Sequence, residues 1–208
     1  MPNVIINDIK VEVPENVTVL EAIRLSGGYV PTLCHMKLDD IKIENNPASC
    51  RICMVEVAGR RNLAPACVTP IAEGMVIKTH SKKAVNARRT VLQLLLSNHP
   101  QDCLKCAKNG QCELQDLASE LFITTNPYMG NKSTHKKDVS AAIIRDPSKC
   151  IMCRKCETMC NSFQTVGVLS AVDRAFDAVV KPTFDLPLEQ TNCTFCGQCV
   201  AVCPTGAL

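Results

Sequence analysis

Alternating apolar and polar positions in the first part of the chain predict β-strands. The stretch NVIINDIKVEV, residues 3–13, alternates on both sides of Asn7 and Asp8, a pair that is typical of a two-residue hairpin turn. The stretches CMVEVAG, residues 53–59, and GMVIKT, residues 74–79, predict two more strands. These segments together indicate a small sheet.

Two helices are predicted by a cap and by an apolar run. Thr18 and Glu21 have the Thr-x-x-Glu spacing of a capping box, and the helix that they open is expected to end at Gly27-Gly28, where a positive φ is needed. The run TVLQLLLSN, residues 90–98, predicts a second helix. Pro100 follows it and forces the chain to turn.

The composition indicates that the core of this protein needs additional support. Apolar residues make up 46 % of the chain, but aromatic residues only 3 %, and tryptophan is absent. Because aromatic side chains bury the largest areas, each core must be small and aliphatic. Small cores are commonly stabilised by disulfides, metals or partner chains, and the 15 cysteines offer the first two.

The N-terminal sequence and the cysteine count favour bound metal over disulfides. The first residues lack the basic stretch and apolar core of a secretory signal, and an odd number of cysteines cannot pair completely. No apolar run approaches the ~18 residues of a membrane span. We therefore expect a cytoplasmic protein with no membrane span. A net charge of +3 is too small to indicate nucleic acid as a partner.

Eight of the cysteines form an internal repeat. The pattern C-x₂-C-x₂-C-x₃-C occurs twice, as Cys150, Cys153, Cys156 and Cys160 and again as Cys193, Cys196, Cys199 and Cys203. It is the run with which bacterial ferredoxins bind [4Fe–4S] clusters, and its fourth cysteine binds the neighbouring cluster. One cluster is therefore expected to be held by Cys150, Cys153, Cys156 and Cys203. The other is expected to be held by Cys193, Cys196, Cys199 and Cys160.

A pair of zinc sites is the alternative interpretation of this repeat, because zinc also favours Cys-x₂-Cys pairs. Zinc would need only two ligands from each pair, so the third and fourth cysteine of each run would be surplus. Since the surplus occurs in both copies, we favour iron–sulfur clusters.

Another set of cysteines lies in the region of the predicted sheet, at Cys34, Cys50, Cys53 and Cys67. A hairpin, a helix and further strands resemble the β-grasp fold of plant-type ferredoxins, which bind a [2Fe–2S] cluster through four cysteines. The first gap is longer than in that family, and we expect the extra residues, KLDDIKIENNP at 37–47, to form a surface loop. For Cys34 a buried structural thiol is the alternative, but within this fold we favour ligation.

Three cysteines then remain, Cys103, Cys106 and Cys112, and a cluster or a zinc ion needs a fourth ligand. His99 precedes Cys103 by four residues and ends the second predicted helix, which would fix its position. We therefore expect His99 to complete this set, which gives sixteen ligands for four clusters. The other histidines have no comparable companions and are expected to be solvated; they are His35, His80 and His135.

The segment ARRTVLQLLLSNHPQDCLKCAKNGQCELQ, residues 87–115, resembles the His/Cys₃ [4Fe–4S] segment of the large iron–sulfur subunit of respiratory complex I. Similar segments occur in the N-terminal arm of [FeFe]-hydrogenases and in related NAD-linked hydrogenase and formate dehydrogenase subunits. The resemblance implies that His99 and its three cysteines are all cluster ligands.

The resemblance also implies an α+β protein with three modules in the order of the hydrogenase arm. These are a β-grasp plant-type ferredoxin domain at 1–80, a small helical His/Cys₃ module at 81–138, and a bacterial 2[4Fe–4S] ferredoxin-like domain at 139–208. Residues 117–138 are expected to bridge the second and third modules. Residues 161–192 are expected to form the short strand pair of ferredoxins with an enlarged loop.

The same resemblance implies electron transfer through one [2Fe–2S] cluster and three [4Fe–4S] clusters. No cysteine is left over for an active-site cluster, and neither G-x-G-x-x-G nor a P-loop is present. We expect a non-catalytic subunit of a soluble NAD(P)-linked, hetero-oligomeric oxidoreductase complex, with electron bifurcation as a role that related complexes imply. Its partners would be a flavin- and NAD(P)-binding iron–sulfur subunit and a hydrogenase, a formate dehydrogenase or ferredoxin. The alternative is the N-terminal arm of a truncated [FeFe]-hydrogenase.

Two polar stretches are locally basic, HSKKAVNARR at 80–89 and NKSTHKKD at 131–138. A solvated surface is the simpler interpretation, and a docking surface for an acidic partner is the alternative.

Overall fold

The computed structural model describes residues 1–131 and 133–208, so that Lys132 of the second basic stretch lies outside the described residues. The chain divides into two compact units. The first contains Met1–Thr32 and Cys50–Leu92, and the second contains Leu33–Ser49 and Gln93–Leu208. Within the described ranges, we find no helix that is both long enough and apolar enough to cross a membrane.

The fold is α+β. The strands are β1 (Asn3–Ile6), β2 (Ile9–Glu12), β3 (Met36–Leu38), β4 (Ile43–Asn45), β5 (Met54–Val57), β6 (Ala64–Pro65), β7 (Val76–Lys78), β8 (Asp138–Val139), β9 (Ile144–Arg145), β10 (Leu169–Val172) and β11 (Val179–Pro182). The helices are α1 (Val19–Leu25), α2 (Lys82–Asn98), α3 (Glu113–Glu120), α4 (Lys155–Thr158) and α5 (Gln198–Ala201). Helix α4 continues into a π-helical turn at Met159–Phe163.

The first unit contains a five-stranded sheet in the order β2-β1-β7-β5-β6. Strands β1 and β2 form the predicted antiparallel hairpin, and its turn residues Asn7 and Asp8 have φ of 49° and 68°. Positive φ at both positions is what a tight hairpin turn requires. The two strands predicted farther along are also present, with β7 parallel to β1 and antiparallel to β5.

Helix α1 begins and ends as its sequence predicts. The Thr18 hydroxyl accepts a hydrogen bond from the backbone N–H of Glu21 at 3.2 Å, and the Glu21 carboxylate accepts one from the backbone N–H of Thr18 at 2.9 Å. This reciprocal pair satisfies two backbone donors that the helix cannot use itself. At the other end, Gly27 has a φ of 74° and turns the chain out of the helix.

The core of the first unit is aliphatic, as the scarcity of aromatic residues predicts. Fully buried side chains include Leu20, Ile23 and Ile77. Arg88, in the basic stretch that the sequence left as a solvated face, is instead 3 % exposed. Its guanidinium donates two hydrogen bonds, of 3.0 and 2.7 Å, to the backbone carbonyl of Met54. Arg88 therefore holds α2 to the end of the ligand-bearing loop before β5.

The second unit is built from short antiparallel strand pairs and helices. Strands β10 and β11 form the strand pair predicted for residues 161–192, with Leu169 opposite Pro182. Buried apolar residues cluster around this pair, among them Ile143, Val168 and Leu188. Strands β8 and β9 form a second, shorter pair.

The surface loop expected at residues 37–47 is the point at which the sequence prediction is wrong. These residues form most of the antiparallel hairpin β3–β4, joined by a 3₁₀ turn at Asp39–Ile41. Ile43 and Asn45 are buried, with 9 % and 3 % of their surfaces exposed. His35, just before the hairpin, is also buried and not solvated. The extra residues are therefore a packed part of the second unit.

Candidate iron–sulfur centres

Three of the four predicted [2Fe–2S] ligands lie in the first unit, and all three are buried. Cys53 immediately precedes β5 and Cys67 follows β6, and these two strands are paired. The backbone N–H of Ala66 donates to the Cys53 carbonyl at 3.0 Å, which closes this end of the pair. The sulfur atoms of Cys53 and Cys67 are 3.4 Å apart. Two thiolates on one tetrahedral metal lie about 3.8 Å apart, so this spacing suits a shared metal ion.

The fourth predicted ligand, Cys34, is assigned to the second unit. It is 1 % exposed and lies two residues before β3. Its backbone carbonyl accepts a hydrogen bond of 2.5 Å from the side-chain amide of Asn45. Ligation by Cys34 stays a prediction.

A cavity in the second unit is lined by His99 together with Cys103, Cys106 and Cys112, the complete predicted His/Cys₃ set. Helix α2 ends at Asn98, so that His99 is the first residue beyond it, as the sequence predicts. Cys103 and Cys106 lie on a 3₁₀ turn, and Cys112 immediately precedes α3. Cys112 is buried, whereas Cys103 is exposed to solvent.

The chemical state of His99 suits a metal ligand. Burial, together with the nearby charge of Lys149, lowers the pKa of His99 to about 4, against a weaker opposing effect of Asp146. The imidazole is therefore neutral at pH 7 and retains a lone pair. Its Nδ1 atom is buried and has no hydrogen-bond partner among the described residues. A buried polar atom without a partner is costly, and a positively charged ion beside this ring would remove the cost.

Cys150, Cys153, Cys156 and Cys203 line one further cavity of the second unit. Cys160, Cys193, Cys196 and Cys199 line another. Each cavity thus combines three cysteines of one run with the fourth cysteine of the other run, which is the crossed grouping expected from the repeat. Binding of iron by these sulfur atoms stays a prediction.

The two runs also share a backbone conformation. Met152 and Phe195, at matching positions of the repeat, have φ of 54° and 51°, and Arg154 and Gly197 have φ of 63° and 75°. Positive φ in short loops turns successive N–H groups to one side and forms a concave site for negative charge. The N–H of Phe195 points accordingly to the Cys193 sulfur at 3.4 Å.

Burial makes it difficult for these thiols to ionise alone. It raises the pKa of Cys153 to about 12 and that of Cys199 to about 11, and it raises the pKa of Cys156 well above its usual value. Neighbouring thiolates raise the pKa of Cys156 further. A metal-bound thiol is nevertheless deprotonated, because the metal ion supplies the missing positive charge.

The spacing of the ligand side chains bears on the zinc alternative. Across residues 1–131 and 133–208, no three His, Cys, Asp or Glu side chains are close enough to share a single metal ion. Tetrahedral zinc requires four ligands around one point. A [4Fe–4S] cubane spreads its four ligands over four separate iron atoms, so wider spacing suits a cluster.

Sequence reasoning missed several residues that support these sites. Lys155 is 7 % exposed, and its ammonium group contacts both carboxylate oxygens of Glu113 at 3.2 Å. Gly206 lies against the sulfur of Cys106, and Asn45 contacts the backbone of two predicted ligands. The alternation of Leu38, Ile41 and Ile43 could have indicated the hairpin, but no local pattern identifies the contacts.

Three iron–sulfur families match successive parts of the chain. Residues 3–82 match a 2Fe-2S iron-sulfur cluster binding domain. Residues 88–127 match the NADH-ubiquinone oxidoreductase-G iron-sulfur binding region. Residues 149–207 match a 4Fe-4S dicluster domain. The matches follow one another in the order in which the cysteine sets occur.

Longer proteins resemble the chain over nearly its whole length. It is 60 % identical over 197 residues to the NADP-reducing hydrogenase subunit HndD of Solidesulfovibrio fructosivorans, which covers 94 % of the chain and 34 % of that protein. It is 38 % identical over 212 residues to the G 2 polypeptide of the NADH-quinone oxidoreductase of Rhizobium meliloti, covering 100 % of the chain and 24 % of that protein. The NADPH-Fe(3+) oxidoreductase subunit alpha of Geobacter sulfurreducens is 34 % identical over 199 residues, covering 95 % of the chain and 23 % of its own length. The chain thus spans about a third or less of the length of these relatives.

A solved structure agrees with these similarities. A chain in the crystal structure of the NAD+-reducing [NiFe]-hydrogenase in the H2-reduced state superimposes with a TM-score of 0.86 at 26 % identity, covering 99 % of this chain and 86 % of that one. The chain is therefore an iron–sulfur electron-transfer protein of the hydrogenase and complex I type.

Proposed function

We propose that the chain relays electrons through one [2Fe–2S] cluster and three [4Fe–4S] clusters within an NAD(P)-linked oxidoreductase complex. Clusters of this kind supply one-electron carriers whose potentials depend on cluster type, hydrogen bonds to sulfur and solvent exposure. The observation that carries the proposal is the grouping of the ligands. Three cavities of the second unit are each lined by one complete predicted set of four.

The proposed ligands number sixteen. The [2Fe–2S] cluster would be held by Cys34, Cys50, Cys53 and Cys67. The three [4Fe–4S] clusters would be held by His99, Cys103, Cys106 and Cys112, by Cys150, Cys153, Cys156 and Cys203, and by Cys160, Cys193, Cys196 and Cys199. Because an imidazole is neutral, the His99 cluster carries one negative charge fewer and should have the higher potential for its type.

The proposed modules follow the ligand sets. They are a β-grasp plant-type ferredoxin domain at 1–80, a His/Cys₃ module at 81–138 and a 2[4Fe–4S] ferredoxin-like domain at 139–208. A helix after a hairpin and a mixed sheet support the first assignment. The shared backbone conformation of the two cysteine runs supports the third.

The proposed partners are those that the names of the relatives suggest. A flavin- and NAD(P)-binding iron–sulfur subunit would exchange electrons with this chain in the cytoplasm. A hydrogenase, a formate dehydrogenase or ferredoxin would exchange electrons with it elsewhere, and bifurcation is a role that such a position allows. Similarity to a hydrogenase subunit and to NADH- and NADPH-dependent oxidoreductase subunits supports this proposal.

Metal analysis and low-temperature electron paramagnetic resonance (EPR) test the proposal directly. Anaerobically purified protein should contain about fourteen iron atoms, two from a [2Fe–2S] cluster and four from each [4Fe–4S] cluster. After full reduction it should show four paramagnetic centres. His99→Ala should remove or alter one of these signals, while His80→Ala, a matched change at an exposed histidine, should alter none. Zinc in place of iron, or fewer than four centres, would refute the proposal.

The second candidate is the N-terminal electron-transfer arm of a longer [FeFe]-hydrogenase. It is favoured by the 60 % identity to a hydrogenase subunit of which the chain spans only 34 %. The intact mass of the protein purified from its native source decides between the two. A mass near 22.7 kDa supports a separate subunit, and a much larger mass supports the hydrogenase.

A further inference from the structure

Asn45 connects two segments that carry predicted ligands of different clusters. Its side-chain amide donates hydrogen bonds to the backbone carbonyl of Cys34 at 2.5 Å and to that of Cys153 at 2.9 Å. Cys34 belongs to the proposed [2Fe–2S] set, and Cys153 belongs to the first ferredoxin run. All three residues lie in the second unit.

The orientation of the Asn45 amide is fixed from its other side. The hydroxyl of Thr158, on α4, donates to Oδ1 of Asn45 at 2.6 Å. Three of the four hydrogen bonds available to an asparagine side chain are therefore made, in a position that is 3 % exposed. Because a buried polar group without partners is costly, this network has essentially one arrangement.

The hairpin that carries Asn45 is attached to the same loop by a second contact. The hydroxyl of Ser49 donates to the backbone carbonyl of Met152 at 3.0 Å. Both contacts join the stretch after Cys34 to residues 152 and 153, in the turn between the first two cysteines of the run. A surface loop would need neither contact, which indicates that the position of the hairpin matters.

We infer that Asn45 is a positioning residue for electron transfer between the [2Fe–2S] cluster and the [4Fe–4S] cluster of Cys150, Cys153, Cys156 and Cys203. The inference rests on the proposed relay and adds a direct transfer step to it. The Asn45 amide fixes the separation of the Cys34 and Cys153 backbones. It also joins them through two hydrogen bonds that share one nitrogen atom.

Two physical effects follow from this arrangement. Electron tunnelling decays less steeply along bonded atoms and hydrogen bonds than across a gap, so the amide offers a short route between two ligand residues. A hydrogen bond that withdraws electron density from a ligand residue also raises the potential of its cluster. Partners outside the ligand shell orient ligands and tune metals in this way, and their loss typically reduces activity 10- to 100-fold.

The sharpest test is Asn45→Asp in the fully loaded chain. At this buried position the new carboxyl group should take up a proton, and its single O–H can serve only one of the two carbonyls. Thr158 can still donate to the other oxygen, so the packing is preserved. In a redox titration followed by EPR, the signals of these two clusters should move to lower potential, and those of the other two should stay unchanged. Electron transfer between the two affected clusters should slow by roughly tenfold.

Asn86→Asp is the matched control, because it makes the same chemical change at an exposed position of α2. It should change neither the potentials nor the rate. If Asn45→Asp keeps its iron and all four potentials and the transfer rate equal those of the unmodified protein, the inference is overturned.

Thr158→Val carries the test if Asn45→Asp fails to assemble. It keeps the shape of the side chain but removes the hydroxyl that orients the amide, so the same two signals should shift by a smaller amount, and no shift would overturn the inference. Absence of either cluster from the unmodified chain would overturn the proposed relay itself. Intact clusters that ignore Asn45 and Thr158 would overturn only the present inference.

Discussion

Gly206 lies so close to Cys106 that a methyl group at residue 206 would be 2.6 Å from the cysteine sulfur. The backbone around Gly206 cannot withdraw easily. The carbonyl of Pro204 accepts a hydrogen bond from the N–H of Glu113 at 3.0 Å, and the carbonyl of Ala207 accepts one from the N–H of Asp146 at 2.8 Å. The end of the chain is thus fixed against the His/Cys₃ module, and only glycine fits at residue 206.

Gly206→Ala should therefore disturb the His99 cluster. The added methyl group must displace the Cys106 sulfur or the backbone, at a cost of about 1–3 kcal/mol for overpacking. We expect a distorted EPR signal for this cluster, or the loss of about four iron atoms. The other three signals should stay as they are.

Gly110→Ala is the control for loss of stability alone. Gly110 lies in the same module and has a φ of 77°, but a methyl group there meets no atom within 4 Å. The substitution should cost about 1–2 kcal/mol through backbone strain without changing the EPR signal. If both variants left that signal unchanged, the contact between Gly206 and Cys106 would have no role in the site.

Features that depend on neighbouring residues could be predicted from the sequence. The Asn7-Asp8 turn and the Thr18-Glu21 capping box are local, so their conformations follow from the residues themselves. His99 was predicted by counting ligands and by its place after an apolar helix. The cavity that it lines with three cysteines agrees with that grouping.

Features that depend on distant contacts could not be predicted. Asn45 looks like a polar loop residue in the sequence, and its burial follows from Cys153 and Thr158, which are 108 and 113 residues away. Arg88 likewise looks solvated until its carbonyl partner at Met54 is known. Polar residues become structural when a tertiary contact satisfies them, and local sequence carries no signal of that contact.

Replacing His99 by cysteine should preserve its cluster but change its potential. Cysteine supplies a thiolate where imidazole supplies a neutral nitrogen, so the reduced cluster carries an additional negative charge. His99→Cys should retain about fourteen iron atoms, and the potential of one [4Fe–4S] centre should fall by on the order of 100 mV. Iron analysis and EPR-monitored titration measure both. An unchanged set of four potentials would mean that His99 is not a ligand.

The buried charge of Lys155 should raise the potential of the first ferredoxin cluster. This lysine adjoins Cys156, and its positive charge favours the thiolate form of Cys153. Lys155→Met keeps the apolar stem and removes the charge, while Glu113 stays half exposed and hydrated. The potential of the cluster held by Cys150, Cys153 and Cys156 should fall by ~50 mV.

Arg154→Met is the matched control for Lys155→Met. Arg154 is the preceding residue, but its side chain is 44 % exposed and pairs with Glu157 at 2.6 Å. Solvent screens such a charge, so its removal should shift the potential much less. Equal shifts in the two variants would contradict a special role for the buried ammonium group.

Gly130 should be essential for the end of α2, and hence for the position of His99. A methyl group at residue 130 would overlap the Ser97 carbonyl and lie 2.7 Å from the backbone nitrogen of Asn98. Because these are backbone atoms of a helix, they cannot move aside cheaply. Gly130→Ala should lower the melting temperature of the loaded protein by about 6–12 °C and broaden the EPR signal of the His99 cluster. Asn131→Ala, at the exposed neighbouring residue, should change neither. Equal melting temperatures in the two variants would show that this packing contributes nothing to the stability of the protein.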